Sequence, residues 1–197
     1  MNQTTIGQTK GGLRGHILRR IMHIGMVLVP LVYYAYGTSI ASWFFLTPHE
    51  LLWLIMVFVI LFEILRLKLG ITLFVQRHYE TGRISSFPWT VLSICLVLWL
   101  APDKRYAIPI ICSCALVDPL LGELRRLHWK AIWVACIGIL AVMAIWWVST
   151  WWWQTPWQLA LLMGPLTVWC EWPNFRWIDD NALMQLVPLL VIMLLYG

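Results

Sequence analysis

The feature that most constrains the fold is a succession of seven apolar stretches separated by short polar segments. An α-helix needs roughly 20 apolar residues to cross the hydrocarbon core of a bilayer. The stretches lie at residues 24–46, 51–69, 88–101, 106–121, 131–153, 157–170 and 182–196. Only 12% of the residues are charged, against about 25% in a soluble domain. The sequence therefore predicts an all-α protein, a polytopic transmembrane helix bundle with about seven spans.

This pattern divides the chain into a short N-terminal segment and a long membrane-embedded part. Residues 1–23 are polar and basic, which predicts a cytosolic N-terminal segment rather than a cleaved signal peptide. Residues 24–197 are expected to form a single transmembrane bundle with no room for a second soluble domain, and the polar clusters described below predict that this bundle is the catalytic one. Pro109 and the Gly164-Pro165 pair predict kinked or broken helices, which are tolerated where neighbouring groups satisfy the freed backbone atoms.

The basic residues predict the orientation of the bundle. Seven crossings place twelve of them on one side: Lys10, Arg14, Arg19, Arg20, Arg66, Lys68, Arg77, Arg83, Arg125, Arg126, Lys130 and Arg176. Only Lys104 and Arg105 fall on the other side. This asymmetry favours a cytosolic N-terminus and explains the net charge of +5 without nucleic acid as a partner. We expect a multi-pass protein of a bacterial inner membrane or an organelle membrane.

Tryptophan and cysteine fit the same interpretation. The opposite side carries six tryptophans that predict an interfacial aromatic belt: Trp146, Trp147, Trp151, Trp152, Trp153 and Trp157. The five cysteines lie in or beside apolar stretches without a CxxC pair. Buried thiols are therefore expected rather than disulfides or a zinc site.

Acidic residues concentrate on the predicted cytosolic side. Seven of the nine lie there: Glu63, Glu80, Asp118, Glu123, Glu171, Asp179 and Asp180. Carboxylates near a bilayer are costly and are functional candidates by default. Mixed with arginines and a histidine, they suit a metal-assisted reaction on a lipid at the membrane surface.

Three of the polar clusters precede residue 87. Arg19 and Arg20 share a helical face with His23, which also suits a membrane anchor. Glu63 and Arg66 have the i,i+3 spacing of an intrahelical ion pair. The segment from Arg77 to Ser86 is either a solvated loop or, through its arginines, a phosphate-binding one.

Two further clusters carry most of the aspartates. Asp118 before Pro119 predicts a helix N-cap followed by proline at the first helical position. Such a cap near the bilayer surface also suits Mg²⁺, and the free amides behind it suit phosphate. The second cluster runs from Glu171 to the sequence Asp179-Asp180-Asn181, where Asp180 or Asn181 is a candidate N-cap. Three oxygen-bearing side chains in a row exceed what capping needs and favour a hard cation.

The order of these motifs resembles the family of dolichol kinase, phytol kinase and CTP-dependent diacylglycerol kinase. The matching motifs are Arg19-Arg20-x-x-His23, Glu63-x-x-Arg66, Glu80 with Gly82-Arg83-Ile84-Ser85, Asp118-Pro119 with Gly122, and Glu171 with Asp179-Asp180-Asn181 and Pro188. They cover about residues 14–190. The resemblance implies transfer of a phosphoryl group from CTP, or another nucleotide, to the hydroxyl of a lipid alcohol such as a polyprenol, a phytol-like isoprenoid or diacylglycerol.

The same resemblance implies roles for individual residues. Asp118, Glu171, Asp179 and Asp180 are expected to hold Mg²⁺. The expected nucleotide and phosphate ligands are Arg19, Arg20, Arg66, Arg83, Lys130 and Asn181. Lys130 stands where family members carry a glycine-rich element with a lysine, so it is expected to replace that lysine. His23, Glu63, Glu80 and Asp118 are the catalytic candidates, and the first three are alternatives for orienting or deprotonating the lipid hydroxyl.

Two other functions fit the sequence less well. A phosphatidate cytidylyltransferase also uses CTP, Mg²⁺ and a polytopic bundle, but its long C-terminal Lys-Asp and His-Gly-Gly signature is missing here. A non-catalytic membrane relative is supported by the departure from the family's nucleotide-binding element. A transporter is disfavoured because its ionisable groups would lie near the bilayer midplane.

Overall fold

The computed structural model describes residues 12–71, 83–173, 175 and 177–197, and within these ranges the chain is helical and has no strand. The helices there are α1 (Gly12–Gly25), α2 (Leu28–Ser42), α3 (Pro48–Leu69), α4 (Ser86–Leu100), α5 (Lys104–Arg126), α6 (Ala131–Trp153), α7 (Gln158–Glu171) and α8 (Asp180–Tyr196). The prediction of an all-α protein is confirmed for this part of the chain.

Each of the seven apolar stretches coincides with a helix, but fewer helices qualify as membrane spans on length and composition. Helices α5 and α6 are long and apolar enough to cross a bilayer. A third candidate arises if the bent pair Ile17–Gly25 and Leu28–Ser42 is taken as one span. Large apolar side chains cover much of the outer surface, as is compatible with a membrane protein.

Helix α1 lies mostly in the basic segment before the first apolar stretch, and it meets α2, which carries most of that stretch, at an angle of 45°. Pro30 has no backbone N–H, so the carbonyl of Met26 loses its usual helical partner. That carbonyl instead accepts a bond from the Val29 amide at 3.1 Å. The break at residues 26 and 27 therefore has a local cause that hydropathy alone does not reveal.

Helix α5 continues through Pro109, where the sequence predicted a kink or a break. The proline leaves the carbonyl of Arg105 without an amide donor. The hydroxyl oxygens of Ser149 and Thr155 lie 3.2 and 3.1 Å from this carbonyl and 2.6 Å from each other, so one hydroxyl can donate to the carbonyl while the other donates to that hydroxyl. Side chains from α6 and the segment after it thus satisfy the freed backbone group, as expected inside a bundle.

The prediction of an N-cap at Asp118 is wrong, because α5 also runs through Asp118 and Pro119 without interruption. Val117 and Leu121 beside them are buried at 1% and 0% exposure. Packing of these neighbours outweighs the local preference of an Asp-Pro pair to begin a helix. The Asp118 carboxylate is therefore not capping a helix.

Helix α5 forms the centre of the bundle and packs against α1, α2, α4, α6, α7 and α8. Its C-terminal end meets the C-terminal end of α1 through the contact of His23 with Asp118 and the ion pair of Arg20 with Glu123. The end of α7 and the start of α8 reach the same place through Glu171 and Asp180. We call this end of the bundle the carboxylate end.

Two composition-based expectations are resolved by the burial pattern. Trp146 is 1% exposed and packs in the core, so it does not belong to a surface belt, whereas Trp147, Trp151, Trp152 and Trp157 are exposed. All five cysteines are free thiols. Cys136 is exposed and the other four are buried, so the expectation of buried thiols is wrong for Cys136 alone.

Candidate active site

The carboxylate end contains a cluster of three acidic side chains from three different helices. Asp118 lies on α5, Glu171 is the last residue of α7 and Asp180 is the first residue of α8. One potential ligand oxygen from each lies within 4.8 Å of the other two. We call these three residues the carboxylate triad.

The paths of the helices explain why the triad forms. Because α5 does not restart at Pro119, Asp118 projects from the side of a continuous helix. Helices α7 and α8 pack together and against α5, so the end of one and the start of the other lie beside Asp118. The two residues that close the triad are 53 and 62 positions away from Asp118 in the sequence.

Glu171 is the most informative member of the triad because its ionisable side chain is buried, with only 6% of the residue exposed. Its Oε1 accepts a bond from Nη2 of Arg125. Its Oε2 is buried and has no hydrogen-bond donor among the residues that the structure describes. A buried carboxylate oxygen without a donor costs more than a neutral one, and metal coordination is a usual way to offset that cost.

The donor set suits a hard divalent cation. Magnesium and calcium ions prefer carboxylate oxygens, and Mg²⁺ is commonly held by one or two carboxylates together with substrate phosphates. Three carboxylates close together also repel one another unless positive charge lies between or beside them. The triad therefore fits Mg²⁺, and the clearest sign is Oε2 of Glu171, to which no residue in the described ranges donates a hydrogen bond.

Basic side chains surround the triad. His23 Nδ1 lies 3.4 Å from Asp118 Oδ2, and His23 is 7% exposed. Arg20 Nε lies 3.4 Å from Glu123 Oε1, one turn after Asp118 on α5. The predicted grouping of Arg20 and His23 on one helical face is confirmed, and that face contacts α5.

Gly122 allows this contact between α1 and α5. A Cβ atom built on Gly122 would lie 2.4 Å from Nη2 of Arg20. Any larger residue would therefore push the guanidinium group away from its place beside Glu123. The glycine keeps Arg20 close to the carboxylate end.

The segment before α8 places Asp179 and Asn181 beside the triad. Asp179 is the N-cap residue of α8 without a side-chain capping bond, so the prediction of Asp180 or Asn181 as the cap is wrong. The Asn181 side-chain amide donates to Asp179 at 2.8 Å. Its backbone amide donates to Asp180 Oδ1 at 3.0 Å.

The charge of Asp179 depends on burial and on its charged neighbours. Burial, together with the charge of Asp180, raises the pKa of Asp179 to about 7, while Arg19 acts in the opposite direction. Arg19 therefore lies close enough to Asp179 to influence its charge. A cation near Asp179 and Asp180 would reduce the repulsion between their two carboxylates.

Glu63 and Arg66 form a separate buried cluster, and their predicted ion pair is confirmed. Two guanidinium nitrogens of Arg66 donate to the Glu63 carboxylate at 2.8 Å each. The same guanidinium group donates to the carbonyls of Ile71 at 3.0 Å and Arg83 at 2.6 Å. The Ser85 amide donates to Glu63 Oε1 at 2.8 Å. These contacts join the end of α3 to the start of α4, which favours a structural role for both residues.

The remaining candidates lie at the margins or beyond the described residues. Arg83 has an exposed side chain, and its carbonyl belongs to the Arg66 cluster. Lys130 is the exposed residue before α6. Glu80 lies outside the described residues. The structure therefore brings together Arg19, Arg20, His23, Asp118, Glu171, Asp179, Asp180 and Asn181, and places Glu63 and Arg66 elsewhere.

Arg125 belongs to the site, although the sequence placed it only among the residues that orient the bundle. Besides pairing with Glu171, its guanidinium carbon lies 5.7 Å from the centre of the Trp172 ring. Its side chain is 46% exposed, so N–H groups that these contacts do not use can meet a ligand. The available signal was its position seven residues after Asp118, two turns along the same helical face.

Comparison with family models, curated proteins and solved structures finds no match to this chain. The assignment of a function therefore depends on the chemistry of the site itself and on the motif order in the sequence.

Proposed function

We propose that this chain is a multi-pass membrane kinase that transfers a phosphoryl group to the hydroxyl of a lipid alcohol. The donor is CTP or another nucleoside triphosphate, and the acceptor is a polyprenol, a phytol-like isoprenoid or diacylglycerol. The observation that carries the proposal is the carboxylate triad at one end of an apolar bundle. In it, one oxygen of the buried Glu171 has no donor among the residues that the structure describes.

Phosphoryl transfer suits this arrangement because it depends on positioning and on charge neutralisation. Asp118, Glu171 and Asp180 would hold Mg²⁺, which neutralises charge on the nucleotide phosphates when bound. Basic side chains near a cation site are suited to the remaining phosphate oxygens, because a guanidinium group can bind two of them at once. Arg19, Arg20 and Arg125 are the arginines in the required place.

His23 is preferred to Glu63 as the base, and Glu80, the third alternative, lies outside the described residues. Glu63 is committed to Arg66, whereas His23 lies 3.4 Å from Asp118. A hydrogen bond from Nδ1 to this carboxylate, formed when the site closes on its substrates, would place the proton on Nδ1 and leave Nε2 to accept one. In the proposed step, Nε2 takes the hydroxyl proton, the alcohol oxygen bonds to the γ-phosphorus, and the nucleoside diphosphate leaves.

The motif order that resembles the dolichol kinase family supports the lipid alcohol as acceptor. The uneven distribution of lysine and arginine supports a cytosolic N-terminus, seven crossings and a site at the cytosolic boundary. The lipid tail would then lie among the helices, while its hydroxyl reaches the carboxylate end.

The test is a transfer assay with purified protein in lipid nanodiscs. CTP or ATP labelled at the γ-phosphate is supplied with Mg²⁺ and a panel of isoprenoid alcohols and diacylglycerol. We expect label in a lipid phosphate and release of the nucleoside diphosphate. Release of pyrophosphate would indicate a cytidylyltransferase instead, and no labelled lipid with any acceptor would refute the kinase.

A matched pair of variants links the activity to the site. Asp118→Asn should lower turnover at least about 100-fold with little change in melting temperature, since it removes one ligand charge. Asp103→Asn alters the N-cap at the other end of α5, where its side chain accepts a bond from Arg105, and asparagine caps equally well. It should leave turnover unchanged. Equal activity in Asp118→Asn and the wild type would exclude the triad as the active site.

A further inference from the structure

A second set of polar side chains lies one helical turn deeper in the bundle than the carboxylate end. Cys114 and Thr167 precede Asp118 and Glu171 by four residues on α5 and α7, and Gln185 follows Asn181 by four on α8. Residues four apart share a helical face. We call Cys114, Thr167 and Gln185 the inner polar layer. Their exposures are 0%, 1% and 0%, so water does not reach them from outside.

Hydrogen bonds fix the orientation of the Gln185 side chain. Its Nε2 donates to the Asn181 carbonyl at 3.2 Å and to Cys114 Sγ at 3.6 Å. A flipped amide would place Oε1 against the Asn181 carbonyl, oxygen facing oxygen, which is unfavourable. The carboxamide oxygen must therefore point away from these partners.

Two oxygens of the layer have no hydrogen-bond partner within the described part of the chain. Gln185 Oε1 and Thr167 Oγ1 are buried without a hydrogen bond from any residue that the structure describes. Leaving a buried polar group unsatisfied costs about 1–3 kcal/mol. Two such groups one turn below a candidate active site indicate an occupant that supplies the bonds.

The two oxygens differ in what they offer. Gln185 Oε1 can only accept a hydrogen bond, whereas the Thr167 hydroxyl can donate one. An alcohol hydroxyl donates one hydrogen bond and accepts others, so it complements this combination. A bare hydrocarbon offers neither oxygen a partner, and a cation would use both oxygens only as ligands and leave the donor capacity of the Thr167 hydroxyl unused.

We propose that the inner polar layer binds the hydroxyl of the acceptor lipid, with Gln185 Oε1 accepting its hydrogen and Thr167 Oγ1 donating to its oxygen. This inference rests on the proposed lipid kinase and identifies two positioning residues for its acceptor. The layer lies on the bilayer side of the triad, so the hydroxyl arrives from the hydrocarbon while the nucleotide binds from the aqueous side. An ordered water molecule is the competing occupant.

A binding experiment tests the layer without requiring turnover. Full-length protein in nanodiscs, without nucleotide or Mg²⁺, is titrated with geranylgeraniol and with its methyl ether, and binding is followed by thermal stabilisation. The ether keeps the oxygen acceptor and loses the O–H donor. Wild-type protein should prefer the alcohol at least about tenfold, the loss expected for one unmet buried bond.

Variants then assign the preference to named atoms. Gln185→Leu removes the acceptor and should bind alcohol and ether alike. Met184→Leu, the adjacent buried residue on α8, is the matched control and should keep the wild-type preference. Thr167→Val has nearly the same shape and should weaken alcohol and ether together. It keeps the inference testable even where Gln185→Leu does not fold.

The outcomes separate this inference from the proposed function. Lack of preference in the wild type, or a preference retained in Gln185→Leu, overturns the inference in favour of a bound water. If the inference is overturned in this way but the wild type phosphorylates the alcohol, the proposed kinase function remains and only the role of the inner polar layer is refuted. Preference lost in Gln185→Leu, with no phosphorylation from any nucleotide, supports the binding site and overturns the kinase.

Discussion

Replacing Glu171 with glutamine tests the candidate metal centre most directly. The change keeps the size of the side chain and removes one of three charges whose ligand atoms lie within 4.8 Å of one another. At that separation each of the two neighbouring carboxylates repels Glu171 by about 3.5 kcal/mol at an effective dielectric constant of about 20. The variant loses this repulsion and also part of its attraction to Arg125. We therefore expect little net change in the stability of the metal-free protein.

The cation-bound protein should respond very differently. Removing one ligand charge should weaken the affinity of the protein for the divalent cation by about 100-fold, or about 2.7 kcal/mol. This is the attraction that remains after the cost of desolvating the cation and the carboxylate is subtracted. At a cation concentration of about 100 times the wild-type Kd, binding stabilises the native state by about 2.7 kcal/mol. The variant would then be near its own Kd and gain only about 0.4 kcal/mol.

These energies convert into melting temperatures that are easily resolved. For a chain of this size, 1 kcal/mol shifts the melting temperature by about 2–4 °C. Mg²⁺ or Mn²⁺ should thus raise the melting temperature of the wild type by about 5–10 °C and that of Glu171→Gln by about 1 °C. The 15 tryptophans provide the fluorescence signal for the measurement.

Glu50→Gln is the matched control. Glu50 lies in the exposed capping box of α3 with Thr47, and glutamine also serves in a capping box. This variant should keep the full response to the cation. Equal responses in the wild type and Glu171→Gln, or no response in the wild type, would refute the metal centre.

Two further substitutions test the surroundings of the site. Glu63→Gln leaves the guanidinium group of Arg66, which is 3% exposed, without its counter-ion. The variant should be less stable than the wild type by about 3–5 kcal/mol. A melting temperature equal to that of the wild type would contradict a structural role for the pair. Gly122→Ala should displace Arg20 and raise the KM for the phosphate donor several-fold, with a stability change under about 1 kcal/mol. Gly25→Ala is its control, because a Cβ atom there meets nothing within 4 Å; equal donor KM values in the two variants would contradict a role for Arg20.

Hydropathy was sufficient to locate the helices, because an apolar stretch of this length has few other structures available to it. Helix α1 is the exception, because it lies mostly in the basic segment before the first stretch. The missing amide of Pro30 accounts for the break between α1 and α2. The number of spans is less determined by hydropathy, since helices such as α4 and α8 are short as well as apolar.

The composition of the site was only partly predictable. Counting crossings places Glu63 and Asp118 at the same end of the bundle, but it gives no lateral distances. Which ends touch depends on the packing of α5 against α1 and α8, and that packing leaves Glu63 with the start of α4. Arg125 was missed for the same reason, since its relevance comes from Glu171, 46 residues later.

The incorrect cap at Asp118 shows why local rules fail at this particular place. If α5 began at Pro119, the Asp118 carboxylate would accept bonds from the first amides of the helix and would have little capacity left for other partners. Because the helix instead continues, Pro119 leaves the Ala115 carbonyl without its usual donor, at a cost of about 1–3 kcal/mol if nothing else satisfies it. In return, the carboxylate faces His23 and the other two members of the triad. A sequence that breaks a local rule commonly does so at a functional site, and here the broken rule is what makes Asp118 available for one.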